Sequence, residues 1–370
     1  MPRISALLFL LCCWSCHIGA SVAAVRLAPG VASLPLASQA TILEDPGGSL
    51  SLADVQRRGD EFRPAKVRGE EAINFGYSSS AWWLRLELEP DPGALRDWLL
   101  EVAFPTLDSV EFFGPGGEHL STGDRLPFAQ RPLSHRNFVF PLRLGESGAS
   151  TVWLRIASEG TLTVPLNLWR SDAFWLDSQA SYAVLSVYFG MLLALALYNL
   201  LLWFSLRDHN YLTYVLFAAS MAVGQLSHNG LGNQFLWPGW PAWGNLAFPI
   251  GFAAAGVFGA LFTRGFLATR RNLPRLDGVI IGLATLFAVC ILLALIAPYR
   301  LTAILLCVIS ALGALAGALI LLSLDNPSFR AMVRAVLSAL RKAGSGGRRR
   351  RATMPLSRRS PHPYSAPTCR

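Results

Sequence analysis

The stretch ASYAVLSVYFGMLLALALYNLLLWFSL, Ala180–Leu206, decides how the rest of the chain is read. It contains no charged side chain from end to end. At ~1.5 Å of rise per residue it makes a helix about 40 Å long, enough to cross the ~30 Å hydrocarbon core of a bilayer. A soluble helix of this length keeps a polar face for water, and this one has none. Four more runs of the same kind lie at Tyr211–Gln225, Asn245–Thr263, Gly278–Ala297 and Leu301–Leu322, with short polar breaks between them. The run at 211–225 is short and must borrow length from Leu226–His228 or lie tilted beside its neighbours. Residues 178–325 therefore read as a helical transmembrane region of about five spans, 180–206, 211–225, 245–263, 278–297 and 301–322.

Composition agrees. With 52% hydrophobic and 15% charged residues, the chain is more apolar than a soluble protein, whose charged share is nearer ~25%. The net charge of +9 suggests nucleic acid, but eleven of the Lys and Arg fall in residues 330–370, where no Asp or Glu occurs. The rest of the chain is slightly acidic. A basic stretch just past a last span holds topology or touches anionic lipid, so no nucleic-acid partner is expected.

Ahead of the membrane region, residues 1–24 order themselves as a signal peptide. Arg3 precedes the apolar run Ile4–Trp14, and small residues lead to Ala23 and Ala24. Residues 25–177, directly after it, are then exported. Here the period shortens. In Trp82–Leu88, Trp83, Arg85 and Glu87 alternate with Trp82, Leu84, Leu86 and Leu88, the pattern of a half-buried strand. Trp98–Phe104, Ser109–Phe113, Asn137–Leu144, Thr151–Ala157 and Leu162–Leu168 read likewise. Gly114-Pro115-Gly116-Gly117 and Asp45-Pro46-Gly47-Gly48 are turns by composition. Ser49–Val55 stays open between extended and helical. Strands at this spacing predict an all-β domain built as an antiparallel sandwich, with a barrel as the lesser option. It has no cysteine, so it must be stable without a disulfide.

The polar residues that stand out are Arg125, Arg131, His135, Arg136 and Asn137, in the Pro- and Ser-rich stretch Gly123–Asn137. A long loop at one end of a sandwich is where ligand contacts sit, and arginines there suit a carboxylate or phosphate. No two histidines fall at metal-ligand spacing, and neither a metal nor a cofactor is expected. Nucleophile-elbow, phosphate-loop and zinc-protease patterns are absent, so an enzyme is not expected either.

Charge by side sets the topology. Arg207, and Arg264, Arg270, Arg271 and Arg275 fall in the loops that lie inside if residues 25–177 lie outside, against Arg300 alone in the external loops. The external segment Ser227–Gly244 carries Trp237, Trp240 and Trp243, rings suited to the headgroup level. Within the spans, Gly313 and Gly317 allow close helix approach, Gly251 to Gly256 or Gly259 offers similar faces, and Tyr198 with Asn199 places polar groups that need partners between helices. A proton or ion path would need buried acids or bases, which the spans lack, so transport is disfavoured. Past residue 326, Ser328–Leu340 has an amphipathic pattern and the remainder none. This basic stretch is expected as a disordered regulatory tail or as the frame-shifted end of a longer receptor.

Val152-Trp153-Leu154-Arg155-Ile156-Ala157-Ser158-Glu159-Gly160 through Val164-Pro165-Leu166-Asn167-Leu168-Trp169 resembles the end of the second type of extracellular domain in bacterial seven-transmembrane receptors with diverse intracellular signalling modules. Leu43-Glu44-Asp45-Pro46 and Leu50–Val55 resemble its beginning. Leu197-Tyr198-Asn199-Leu200, Ser205–Tyr214 and Asn229–Pro238 resemble the family's membrane region, and the likeness spans roughly residues 38–325. It implies a jelly-roll-like periplasmic domain, akin to carbohydrate-binding modules, that senses a small ligand and reports through helices in the bacterial inner membrane. Partners implied are that ligand, the lipid bilayer, and a cytoplasmic signalling partner or a second copy of the chain. The chain departs from the family's pattern in showing five spans and no output module. The competing expectation is a structural or interaction protein of the membrane.

Overall fold

A computed structural model describes residues 24–67, 72–146, 148–272 and 274–325. The signal peptide and the basic tail expected from the sequence lie outside the described residues. The strands are β1 (Val25–Leu27), β2 (Ser33–Pro35), β3 (Thr41–Asp45), β4 (Arg63–Pro64), β5 (Ala72–Gly76), β6 (Ala81–Pro90), β7 (Asp97–Val102), β8 (Ser109–Phe113), β9 (His119–Thr122), β10 (Phe138–Arg143), β11 (Ser150–Ala157) and β12 (Leu162–Trp169). They form two sheets. One runs β4-β3-β6-β11-β8-β9 with β1 beside β6, the other β10-β7-β12-β2 with β5 beside β12. All pairings are antiparallel except that of β1 with β6.

Alternation in β6 explains why the sheets meet. Leu84, Leu86 and Leu88 point to one face and enter a buried cluster with Leu100, Val102, Phe138, Phe140, Leu166 and Leu168 of the other sheet. Trp83 points the other way yet is buried too, with Leu43, Val55 and Trp153. Its cover is the short helix α1 (Leu52–Arg57). That helix exists because Ser51 and Asp54 form a reciprocal capping box, the side chain of each accepting from the other's backbone N–H. The turns behave as composition requires: Gly48 and Gly117 take positive φ, and the Asp45 carboxylate accepts from Ser49 N and Leu50 N at 3.3 and 3.0 Å. This is a β-rich region of two sheets, and among the described residues they do not close into the jelly roll expected from the resemblance.

The helices of the second half are α2 (Ser171–Leu206), α3 (His209–His228), α4 (Pro241–Phe266), α5 (Thr269–Asn272), α6 (Pro274–Ile296) and α7 (Tyr299–Asp325). Four of them, α2, α4, α6 and α7, are long and apolar enough to cross a membrane. Helix α3, with 20 residues, has the length, but His209, Asn210, Gln225, Ser227 and His228 make its ends polar. α4 is the centre of the bundle, packed against α3, α6 and α7. Its closest approach is glycine on glycine: a Cβ on Gly251 would collide with the backbone of Gly224 in α3. On the opposite side Gly256 receives the ring of Phe287 from α6.

Gly251 and Gly256 are among the glycines that the sequence offers for packing, whereas the other helix residues singled out from sequence sit elsewhere. Tyr198 is exposed on α2, and Asn199 Nδ2 donates to Leu195 O of its own helix at 2.8 Å. A Cβ on Gly313 would meet Phe287 only at van der Waals distance, and one on Gly317 would meet nothing within 4 Å among the described residues. At the inner end, Arg207 turns the chain with φ 55° and Asp208 caps α3. Asp277 accepts from Arg264 and Thr269, each at 2.8 Å, which ties α4 to α6.

Candidate functional site

The β domain meets the helices along the stretch that the sequence singled out for ligand contacts. Helix α2 begins at Ser171, well before the apolar run, and its 36 residues span about 54 Å, far more than a bilayer core needs. The surplus is its outer end, which packs on the β domain: Phe174 joins Leu99 and Val139 in a buried cluster. The β domain thus rests on a rod that is continuous with the first span.

Residues 131–137 clasp that rod. Arg131 is buried, sandwiched between Phe128 and Phe138 with its Cζ 4.9 and 4.4 Å from their ring centroids. Its guanidinium donates to the carbonyls of His135, at 3.1 Å, and Arg136. So held, the loop presents Arg136 outward, where it donates to Ser181 Oγ on α2 at 2.8 Å and to Asn229 O at 3.5 Å. Tyr182 Oη accepts from Arg136 N at 3.3 Å and donates to Gln234 Oε1 at 2.8 Å, while Gln234 Nε2 donates to Ser134 O at 3.3 Å. His135 lies edge-on to Phe174 and Tyr182, its Nε2 3.4 Å from Ser178 Oγ. Asn137 Nδ2 donates to Glu101 Oε1 at 2.7 Å, and Trp169 Nε1 donates to the other oxygen at 2.8 Å. Of these residues Arg136 and His135 tie the β domain to α2, and Arg136 also reaches Asn229, whereas Arg131 and Asn137 bond within the β domain and hold the loop in place.

Arg125 is set apart from these four. It donates to Asp108 Oδ2 at 3.0 Å and pairs with Glu159 Oε2 at 2.7 Å. This network lines a cleft of about 800 Å³ between the β domain and the start of α7, whose wall carries Ser78, Ser80, Ser121 and Ser158 and whose far side is Pro298 and Arg300. A side cavity of about 400 Å³ continues from Asp108 and Arg125 to Asn245, Tyr299 and Thr302 of the helices. Both sizes suit a small molecule. Next to them Asp124 is buried, and its Oδ1 has no hydrogen-bond partner among the described residues.

Sequence reading missed Asp108, Asp124, Glu159, Tyr182, Gln234 and Tyr299. Gln234 and Glu159 carried a signal, since they lie in the motifs Asn229–Pro238 and Val152–Gly160; Asp108 and Asp124 are ordinary in sequence and become special by being buried together. Burial raises Asp124 to about 7, with the neighbouring Asp108 carboxylate adding to the effect and Arg125 and Arg131 opposing it. Burial lowers His135 to about 4, helped by Arg136 and Arg131. The signs oppose. The fold favours protonated Asp124, a stabilisation present at acid pH and lost as pH rises towards about 7. It favours neutral His135, a stabilisation present above the ordinary histidine range and lost as pH falls towards about 4. Asp124→Asn is therefore expected to raise stability at pH 8, by on the order of 2 kcal/mol, and to leave it unchanged at pH ~3, below the ordinary carboxylate value. Melting curves of the full chain in detergent across that range check it; a parallel shift at both ends would contradict the assignment.

Two family models match the chain in tandem. That of the 7TMR-DISM extracellular 2 domain covers residues 37–170, the β-rich region, and that of the 7TM diverse intracellular signalling region covers residues 181–337. No curated protein matches the chain.

Proposed function

Because the chain belongs to the seven-transmembrane receptors with diverse intracellular signalling modules and carries their type-2 extracellular domain, we propose that its β domain captures a small polar ligand in the Arg125 cleft and passes the event to α2 and α7. The family makes the chain a periplasmic sensor domain linked to a transmembrane signalling module, in the inner membrane with its N-terminal domain outside. Neither matched module is a catalytic one.

The single observation that carries the proposal is the position of the cleft, with Arg125, Asp108 and Glu159 on one wall and Pro298 and Arg300 on the other. A ligand there touches sensor and helix at once, so its binding energy differs between arrangements of the two bodies. The serines supply hydroxyl partners for a sugar, and Arg125 and Arg300 supply charge for a carboxylate. Arg131, His135, Arg136 and Asn137 form the second contact, the joint through which a shift of the β domain moves α2. The finer reading of the β domain as a jelly-roll-like sandwich akin to carbohydrate-binding modules belongs to the same proposal, as do the five spans and a receiver that is a cytoplasmic partner or a second copy of the chain.

The test is a thermal-shift panel of monosaccharides and short dicarboxylates on the full chain in nanodiscs. A true ligand at ~100 times its Kd stabilises the protein by about 2.7 kcal/mol. Arg125→Ala should abolish that response. A panel without any shift, or a shift untouched by Arg125→Ala, would refute the cleft as the ligand site.

A further inference from the structure

A second cavity, of about 510 Å³, lies beneath the β domain between the outer halves of α3, α4 and α7. Its size falls within the ~300–1,000 Å³ of small-molecule sites. Its walls reach from Tyr299 to Ser310 along α7, a depth of about 16 Å at ~1.5 Å per residue, so the floor lies within the outer leaflet. Polarity is graded along that depth. The deep part is Phe252, Leu306 and Cys307 with Ser310 as its one hydroxyl among the lining residues, whereas the rim carries Gln225, His228 and Thr161. Beside the cavity lies Arg300, an exposed residue that lines the polar cleft and has its Cζ 6.0 Å from the ring centroid of Tyr77, a residue of this cavity's wall. Arg125 is matched by two carboxylates, but Arg300 forms no ion pair among the described residues.

The geometry points to a site for a single-chain anionic amphiphile, a free fatty acid by chemistry, with its acyl chain in this cavity and its carboxylate at Arg300. Each part of the site asks for one part of such a molecule. An apolar floor at membrane depth takes a hydrocarbon chain and excludes a free polar solute, which would lose its hydration there. The chain gains little by leaving bulk lipid for the cavity, so selectivity rests on charge at the mouth and on the shape of the pocket. The β domain limits that shape, because Tyr77, Phe104 and Thr161 roof the cavity. An occupant would press on α7 and on the β domain together, from below, where the polar cleft presses from the side. The site does not depend on the ligand reading of the Arg125 cleft.

The experiment is photo-cross-linking of the full chain in phosphatidylcholine nanodiscs with a diazirine-bearing palmitic acid, mapped by peptide mass spectrometry. Labelling is expected on α7 between Ala303 and Ser310 and on α4 near Phe252, and it is expected to be competed by unlabelled palmitate. Ala303→Phe, which fills the cavity from the helix side, and Thr161→Trp, which fills it from the roof, should each reduce that labelling about tenfold. Arg300→Gln should weaken it and Arg300→Lys retain it. Arg125→Ala should leave it intact, which separates this site from the polar cleft. Labelling spread evenly over lipid-facing helix surfaces, or wild-type yield in both filled variants, would overturn the proposal. Equal labelling of the same residues by a photoreactive diacyl phosphatidylglycerol would overturn it as well, by making the occupant bulk lipid.

Discussion

Arg131→Met is expected to destabilise the full chain by about 3–5 kcal/mol and to free the β domain from α2. The effect has three parts. The carbonyls of His135 and Arg136 lose their donor inside the protein, each a loss of ~1–3 kcal/mol. The cation's contacts with Phe128 and Phe138 go with it. Buried Asp124 also loses one of the positive charges that oppose its burial. Methionine restores packing volume but none of these terms. Lysine keeps the charge without the planar fork, so Arg131→Lys should recover less than half of the loss. Chemical denaturation in detergent measures the size, and limited proteolysis within residues 128–137 reports whether the loop has come away. Adding Asp124→Asn to Arg131→Met should return part of the stability, because the orphaned acid is then gone. Strict additivity of the two substitutions would show that the charges do not communicate.

Gly251→Val should be the most damaging single change in the bundle, at about 3 kcal/mol or more. The added methyls would meet Gly224 of α3 backbone to backbone, and no side-chain rotation relieves such a contact. Helices α3 and α4 must separate, which also breaks the Ser227 Oγ to Gly244 O hydrogen bond of 2.7 Å at the outer end. Gly317→Ala supplies the contrast. With open space around it among the described residues, it should be neutral or gain about 0.5–1 kcal/mol from helix propensity. Unfolding of both variants in the same mixed micelle distinguishes them. Equal losses would mean that α4 and α3 are not held by this contact.

The two glycine positions show where sequence reading of this chain succeeds and where it stops. Gly313 and Gly317 form a spacing that permits close approach, and spacing is visible along one chain. Gly251 is visible in the same way, through its spacing to Gly256 and Gly259, but its partner Gly224 is separated from it by a turn and part of another helix. Strands were more legible: the runs around Trp82, Trp98, Ser109, Asn137, Thr151 and Leu162 are strands β6, β7, β8, β10, β11 and β12. Alternation is a local property of an element with one face on a core. The edge strands β1, β2, β4 and β9 are too short to alternate, and pairing alone defines them. The loop at Gly123–Asn137 was found by its arginines, but what those arginines bind was not. Arg131 turns inward to carbonyls of its own loop and Arg136 reaches Ser181, a residue of the first span.

Sequence alone determined that a β-rich, cysteine-free segment precedes helices too apolar for water, and that the positive charge gathers past residue 330. Those conclusions rest on hydropathy, alternation and charge counts, which are sums over neighbouring residues and need no knowledge of the fold. Only the tertiary structure decided that α2 begins against the β domain, that Asp108, Asp124, Arg125 and Glu159 gather near a cleft against α7, and that the loop at 131–137 packs on α2. Burial and hydrogen bonding between residues dozens of positions apart create those properties. A carboxylate such as Asp124 has ordinary chemistry until the fold removes its water and sets another carboxylate beside it.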